Sequence, residues 1–172
     1  MAAQTGGWGA RLAALLGGSA LRTRRLIRAP IGVFRAGFGW LFADRLLMLE
    51  HVGRRSGRIR RVVLEVIGRP EPDVYVVASG FGDRAQWLKN IRANGRAAVY
   101  TATRRAAPAN ARILPAEEAA RALTDYIARH PRTWSVLKPV FEDTLGHRIE
   151  DLGTAMPVVE FRAGSGCGVG PR

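Results

Sequence analysis

The sequence predicts an α+β fold: an antiparallel β-barrel with amphipathic helices at the N-terminus and further helices at its flanks. Three observations carry this expectation. Five or six short stretches, β-branched or alternating in hydropathy, read as strands, and most are joined closely enough to be hairpins. Helical patterns are interspersed among them instead of following every strand. No Gly-x-Gly-x-x-Gly opens a helix after the first strand, which argues against a dinucleotide-binding α/β domain.

In chain order, residues 1–45 read as a basic, amphipathic helical segment. Leu12, Leu15 and Leu16 form one apolar stripe, and Val33, Phe34, Phe38, Trp40 and Leu41 a second. Arg22, Arg24, Arg25 and Arg28 lie between them, and Pro30 suits the first turn of the second helix. Such helices either cap the open end of a β-core or lie on an anionic membrane surface. A domain of this size needs the apolar cover, which favours capping.

Residues 46–162 read as the barrel domain. The stretch 46–52 is an apolar strand, followed by the turn Gly53-Arg54-Arg55-Ser56-Gly57. The next strand, 58–67, alternates: Arg58, Arg60, Val62, Leu64 and Val66 share one face, and Ile59, Arg61, Val63, Glu65 and Ile67 the other. A loop around Pro70 and Pro72 leads to a strand at 74–79. Asp83 followed by Gln86 is a capping-box pattern for a helix that Gly95 closes. Strands at 97–103 and 110–114 form a hairpin around Arg104, Arg105 and Pro108. Pro115 starts a helix with Glu117 and Glu118 in its first turn and Arg129 and His130 at its end, which suits the helix dipole. A helix over 134–145 and a strand over 156–161 follow, and residues 163–172 form a flexible glycine-rich tail.

Composition narrows the function. The chain has 172 residues, 27 basic against 14 acidic, for a net charge of +13. All the basic residues except Lys89 and Lys138 are arginines. Within residues 1–62, 12 arginines face only Asp44 and Glu50, so the positive charge is concentrated at and before the first turn. Arginine's planar fork suits phosphates and carboxylates, although a GC-rich genome raises arginine usage by itself. One cysteine, Cys167, excludes an internal disulfide and points to a reducing compartment, the cytoplasm. His51, His130 and His147 are too scattered for a zinc site, and no metal is expected. The apolar run 31–43 is interrupted by Arg35 and too short to span a bilayer, and no signal peptide is recognisable.

Three constellations offer chemistry. The Arg54-Arg55-Ser56 turn, with Arg58 and Arg60 beyond it on one strand face, presents guanidinium groups, a hydroxyl and backbone N–H groups to a phosphate or carboxylate tail. A solvated basic hairpin tip explains the same residues equally well. Ser79-Gly80-Phe81-Gly82 leads into a helix N-terminus suited to an anion or a ring carbonyl, or is an ordinary connection. Trp87, Asn90 and Ile91 share a helix face. Trp87 is placed to wall a planar ring there, though core packing is the commoner role for tryptophan. Missing are a Gly-x-Ser-x-Gly, paired catalytic carboxylates, a Cys–His couple and a Walker lysine. Hydride transfer fits this absence, because a cofactor carries the difficult step.

At these residues the sequence resembles the deazaflavin-dependent nitroreductases, split β-barrel proteins that bind coenzyme F420. The matching blocks are Gly53-Arg54-Arg55-Ser56-Gly57 with Arg60, Ala78-Ser79-Gly80, Trp87-Leu88-Lys89-Asn90 and Ala93-Asn94. The resemblance implies that Arg54, Arg55 and Ser56 hold the cofactor's phosphate and oligoglutamate tail. Arg60 and the strand residues Arg61, Val62, Val63, Leu64 and Glu65 would run beside its linker. Val77, Ala78, Ser79 and Gly80 would touch phosphate or ring through backbone, and Gln86, Trp87, Leu88, Lys89 and Asn90 would flank the deazaflavin. The chain departs from the pattern at Gly80, where many relatives carry lysine, and at Leu88, where they carry an aromatic. Tyr126 is the candidate for a substrate-side tyrosine.

The resulting expectation is an oxidoreductase that delivers hydride from the reduced deazaflavin to an enone, quinone or nitroaromatic. Alternatives are an FMN- or haem-binding protein of the same fold, or a basic module on an anionic membrane or nucleic acid. Peripheral membrane contact on the inner face would run through residues 1–45. Nucleic acid is not the expected partner, because no motif interleaves exposed aromatics with the arginines.

Overall fold

The computed structural model describes residues 31–32, 34–36, 38, 41, 45–152 and 156–164. Expectations for residues 1–30 and for the tail beyond Gly164 lie outside the described residues. Six strands form the barrel: β1 (Leu46–Val52), β2 (Ile59–Gly68), β3 (Val74–Ala78), β4 (Arg96–Tyr100), β5 (Ala107–Ile113) and β6 (Val158–Ala163). They close in the order β1-β2-β3-β6-β5-β4, and every neighbouring pair is antiparallel. Helices α1 (Gln86–Asn94), α2 (Ala116–Arg129) and α3 (Pro131–Leu145) complete the fold, with a 3₁₀ turn at Gly82–Arg84. The α+β antiparallel barrel expected from the sequence is the observed fold. Among the described residues, no helix is long and apolar enough to cross a membrane.

Strand alternation divides the side chains between two environments. Leu47 and Leu49 of β1, Val62, Leu64 and Val66 of β2, Tyr75 and Val77 of β3, and Val159 and Phe161 of β6 pack together inside the barrel. Trp87, Leu88 and Ile91 of α1 join that cluster, so α1 is anchored by the barrel's own core. The opposite faces are covered separately. Ile67, Val76 and Val158 pack under Ala119, Leu123 and Tyr126 of α2. Leu46 and Met48 pack under Phe34, which is 2% exposed, with Ile31, Val63 and Tyr100 around it. Of the expected N-terminal apolar stripe, Phe34 therefore covers the outer face of β1, where burying one such ring contributes about 1.5–3 kcal/mol.

Several boundaries differ from the sequence reading, each for a local reason. Asp83 is not a helix cap. It falls in the 3₁₀ turn and pairs with Arg92 at 2.6 Å, while the helix starts after Ala85 with no side-chain cap. Gly95 does end the helix, in the left-handed region at φ 65°. The β4–β5 strands are displaced because Thr101 leaves the ladder. Its Oγ1 accepts from the backbone N–H of Thr103 and Arg104, and Pro108 falls inside β5 opposite Ala98. Helix α3 starts three residues early, with Pro131 in its first turn. Strand β6 starts two residues late, after Pro157.

One polar group is out of place inside the barrel. Tyr75 is 1% exposed, its hydroxyl has no hydrogen-bond partner among the described residues, and the Arg69 guanidinium lies 5.2 Å from its ring centroid. An unsatisfied buried hydroxyl costs about 1–3 kcal/mol. The Tyr75→Phe variant is therefore expected to gain about 1 kcal/mol of unfolding free energy, measured by urea denaturation. A loss of stability would show that the hydroxyl has a role in the core.

Candidate functional site

The β1–β2 turn is shaped by its glycines. Gly53 N–H donates to Arg58 O at 2.9 Å, Gly57 N–H donates to Gly53 O at 2.8 Å, and Gly57 has φ +63°. A Cβ on Gly53 would stand 2.9 Å from Ser56 Oγ and 3.3 Å from Arg58 O, so the turn closes too tightly for a side chain there.

Asn90 of α1 binds this turn to the helix. Its Oδ1 accepts from the Arg54 backbone N–H at 3.1 Å and from Arg54 Nη1 at 3.0 Å. Gln86 Oε1, one helical turn earlier, accepts from both Arg54 Nη1 and Nη2 at 3.2 Å. A backbone N–H can only donate, so the amide orientation is settled: Oδ1 faces Arg54 and Nδ2 faces His51 Nδ1 at 3.2 Å. His51 Nδ1 must then accept, which leaves the ring proton on Nε2 and the imidazole uncharged. Burial lowers the His51 pKa from 6.5; a hydrogen bond with the Val52 backbone opposes this, and the Arg60 guanidinium adds to the lowering. Asn94 extends the clamp by donating from Nδ2 to Val52 O at 3.1 Å.

A cleft of about 920 Å³ opens beside this clamp, at the upper end of the usual range for cofactor sites. Of the residues expected at the site, Arg54, Arg55, Ser56, Arg60, Arg61, Val62, Val63, Leu64, Glu65, Ala78, Gly80, Gln86, Trp87 and Asn90 line it. Val77, Ser79, Leu88 and Lys89 do not. Val77 and Leu88 are fully buried in the barrel core. Ser79, 1% exposed, holds the following turn, donating from Oγ to Gly82 O at 2.8 Å. Trp87 is mostly a core residue, 7% exposed and 6.4 Å from the Phe161 ring. Tyr126 lies behind the cleft wall, donating to Glu65 Oε1 at 2.8 Å.

The two ends of the cleft differ in character. At the turn, Arg55, Arg58 and Arg60 have no carboxylate partner among the described residues, and Arg54 bonds only neutral amides. Arg61, by contrast, is neutralised by Glu50 at 2.7 Å. Along β2, Arg60 and Glu65 are five residues apart, about 17 Å at strand rise. The far end is mostly apolar, lined by Ala78, Gly80, Phe81, Leu137 and Phe141, with Glu65 and Arg84 as its charged groups. Leu137 and Phe141 were not anticipated from the sequence, and Phe81 only as part of the Ser79–Gly82 turn. Phe141 belongs to an i, i+3, i+7 apolar set with Trp134 and Leu137, which identifies a buried helix face but not what that face meets. Its ring fills the space of a side chain at Gly80, where a Cβ would lie 2.7 Å from Phe141 Cε1. The Arg84 guanidinium donates to Thr144 O and ties this helix to the 3₁₀ turn.

Two expectations follow. Gly80→Ala should cost about 1–3 kcal/mol by displacing the Phe141 ring. Combining it with Phe141→Leu should recover much of that loss in a double-mutant cycle, and additive losses would disprove the contact. Because the folded-state pKa of His51 lies below its unfolded value of 6.5, its contribution to stability is complete above pH 6.5 and declines as the pH falls. His130 shifts in the same direction, so the diagnostic is the difference between wild type and His51→Gln. That difference should shrink on acidification below pH 6.5, as followed by denaturation at each pH.

A family model described as F420H(2)-dependent quinone reductase matches residues 22–136, more than half of the chain. No curated protein matches the sequence. Among solved structures, a protein of unknown function from Agrobacterium tumefaciens aligns with a TM-score of 0.50 at 18% identity, covering 79% of this chain and 55% of that one. An F420-H2 dependent reductase aligns with a TM-score of 0.47 at 18% identity, covering 69% of this chain and 94% of that one. A putative pyridoxamine 5'-phosphate oxidase from Listeria innocua aligns with a TM-score of 0.48 at 11% identity, covering 76% and 93%. The likeness to the Agrobacterium tumefaciens protein, at 18% identity, speaks to fold alone, whereas the family match is one of sequence: the chain belongs to the F420H(2)-dependent quinone reductase family, and is an oxidoreductase whose cofactor is coenzyme F420.

Proposed function

We propose that the chain reduces an electrophilic small molecule, a quinone in the first place and an enone or nitroaromatic by the same chemistry, in the cleft between β2, α1 and α3. The observation that carries this reading is the continuity of that cleft. Arginines without carboxylate partners stand at one end and an apolar, aromatic wall at the other.

The donor set suits a cofactor with an anionic tail and a planar head. Arg55, Ser56 and Arg60, with the charge left on Arg54, would hold the phosphate and carboxylate groups by charge-assisted hydrogen bonds. The exposed edge of Trp87 and the backbone near Ala78 and Gly80 would border the ring. Bound in its reduced form, the cofactor supplies a hydride. The protein's part is to orient and to exclude water. Asn90 keeps the turn in register with α1, and Leu137 and Phe141 supply an apolar surface against which a flat, uncharged acceptor can pack. The lone cysteine supports a reducing, cytoplasmic setting.

The test is a fluorescence titration with coenzyme F420 at low salt. Wild type should bind at micromolar concentration or tighter. The Arg55→Ala, Arg60→Ala double variant should bind about 100-fold more weakly, since each charged hydrogen bond contributes about 1.5–3 kcal/mol. These side chains have no carboxylate partner to lose, so the variant should keep its stability. Absence of binding by wild type would defeat the proposal.

A further inference from the structure

Glu65 contributes the only carboxyl group among the residues lining the cleft. It stands at the apolar end, five residues along β2 from Arg60 and close to the β3 residues that lead to Gly80. Its two oxygens have different surroundings. Oε1 accepts the Tyr126 hydroxyl at 2.8 Å and lies 3.8 Å from Arg45 Nη2. Oε2 has no partner among the described residues. The Glu65 side chain is 25% exposed, and the Tyr126 residue behind it is 4% exposed. The carboxyl is thus fixed through Oε1 and belongs to a residue that lines the cleft, with Oε2 left for a further partner.

The surroundings also govern whether that group holds a proton. Burial raises its pKa, and the hydrogen bond from Tyr126 and the charge of Arg45 oppose the rise without cancelling it. From the 3₁₀ turn, Arg84 lines the same cleft and donates to Thr144 O. Leu46, opposite Glu65 on β1, is apolar. From α2, Arg129 donates to the carbonyls of Asp125 and Ile67, and His130 stacks on Tyr126 at 5.1 Å with its own pKa lowered. Phe141 and Leu137 of α3 are apolar.

We propose that Glu65 is the residue that hands a proton to the reduced acceptor, with Tyr126 positioning its carboxyl. This rests on the reductase reading above. A quinone that has gained a hydride is a hydroquinone monoanion, and one proton completes it. The O–H bond of the Glu65 carboxyl breaks and an O–H bond forms on the acceptor oxygen, with no further electrons transferred. The carboxylate left behind keeps the Tyr126 hydrogen bond and regains its proton from water at the open side of the cleft. A lone carboxyl removed from the arginine turn, with Arg45 at 3.8 Å from Oε1 only, is the arrangement such a step needs.

The test compares wild type, Glu65→Gln, Glu65→Asp and Tyr126→Phe. Coenzyme F420 binding by fluorescence comes first: wild type and Tyr126→Phe should bind alike, because the arginine end is untouched, and the Glu65 variants are assayed at saturating cofactor. If wild type fails to bind, the reductase reading is overturned and this proposal with it. With binding intact, kcat for a soluble benzoquinone should fall as the pH rises through the Glu65 pKa. Glu65→Gln should lose about 100-fold in kcat and that pH dependence as well, and Glu65→Asp should restore part of both. Tyr126→Phe removes a hydrogen bond that favours the carboxylate, so its falling limb should move to higher pH, which a merely structural role would not produce. Infrared titration of the cofactor-free protein supplies an independent readout. A protonated carboxyl band should persist above the ordinary glutamate range of about 4.3 and be absent from Glu65→Gln. Wild-type turnover and pH profile in Glu65→Gln, or a Glu65 band titrating in the ordinary range, would overturn the proposal.

Discussion

The site depends on one side-chain amide. Asn90 is 6% exposed and satisfies the Arg54 backbone, the Arg54 side chain and His51 at once. A hairpin tip carrying four arginines is a poor structural element by itself, because its charges repel and it buries little. It acquires a defined shape here because α1, fastened into the barrel core by Trp87, Leu88 and Ile91, offers a carbonyl oxygen at the right height. The stiffness of the core is passed to the turn through that oxygen. The same amide keeps His51 neutral, which avoids one more positive charge in a crowded cationic corner.

The barrel separates two chemical environments along a single strand. Strand β2 starts near Arg55, Arg58 and Arg60, which have no carboxylate partner among the described residues, and ends beneath α2 and α3, where side chains are apolar or paired. Any ligand lying along β2 experiences that gradient over a few residues. On the function proposed above, anionic groups would be drawn to one end and flat uncharged ones to the other, so the cleft would orient a long, asymmetric molecule. Gly80 and Phe141 sharpen the contrast, since aromatic carbon occupies the volume where a side chain from β3 would otherwise project.

Much of this was legible in the chain. The alternation of residues 58–67 separated Val62, Leu64 and Val66 from Val63, Glu65 and Ile67, and that division holds in the barrel. The glycine-bracketed arginine turn and the Trp87–Asn90 face were visible as local patterns, and both line the cleft. Less legible was the division of labour within those patterns. Ser79 and Leu88 look as promising as Ser56 and Gln86 in one dimension, yet one staples a turn and the other fills the core. Helix rotation and turn closure decide which neighbours face outward, and neither is encoded by residue type alone. The misplaced capping box has the same origin. Asp83 has the correct spacing for a cap, but the Ser79–Gly82 turn takes up those residues and leaves Asp83 to Arg92.

By itself the sequence determined the strand and helix content, the positive charge at the first turn, and the glycines without which that turn cannot close. These are consequences of backbone sterics, hydropathy period and composition, all local quantities. Only the tertiary structure decided that Arg54 bonds to a helix 36 residues away, that Phe141 covers Gly80, and that Tyr126 stands behind Glu65. Those pairings join residues far apart in the chain, and they exist because barrel closure and helix packing bring particular faces together. No local propensity carries that information.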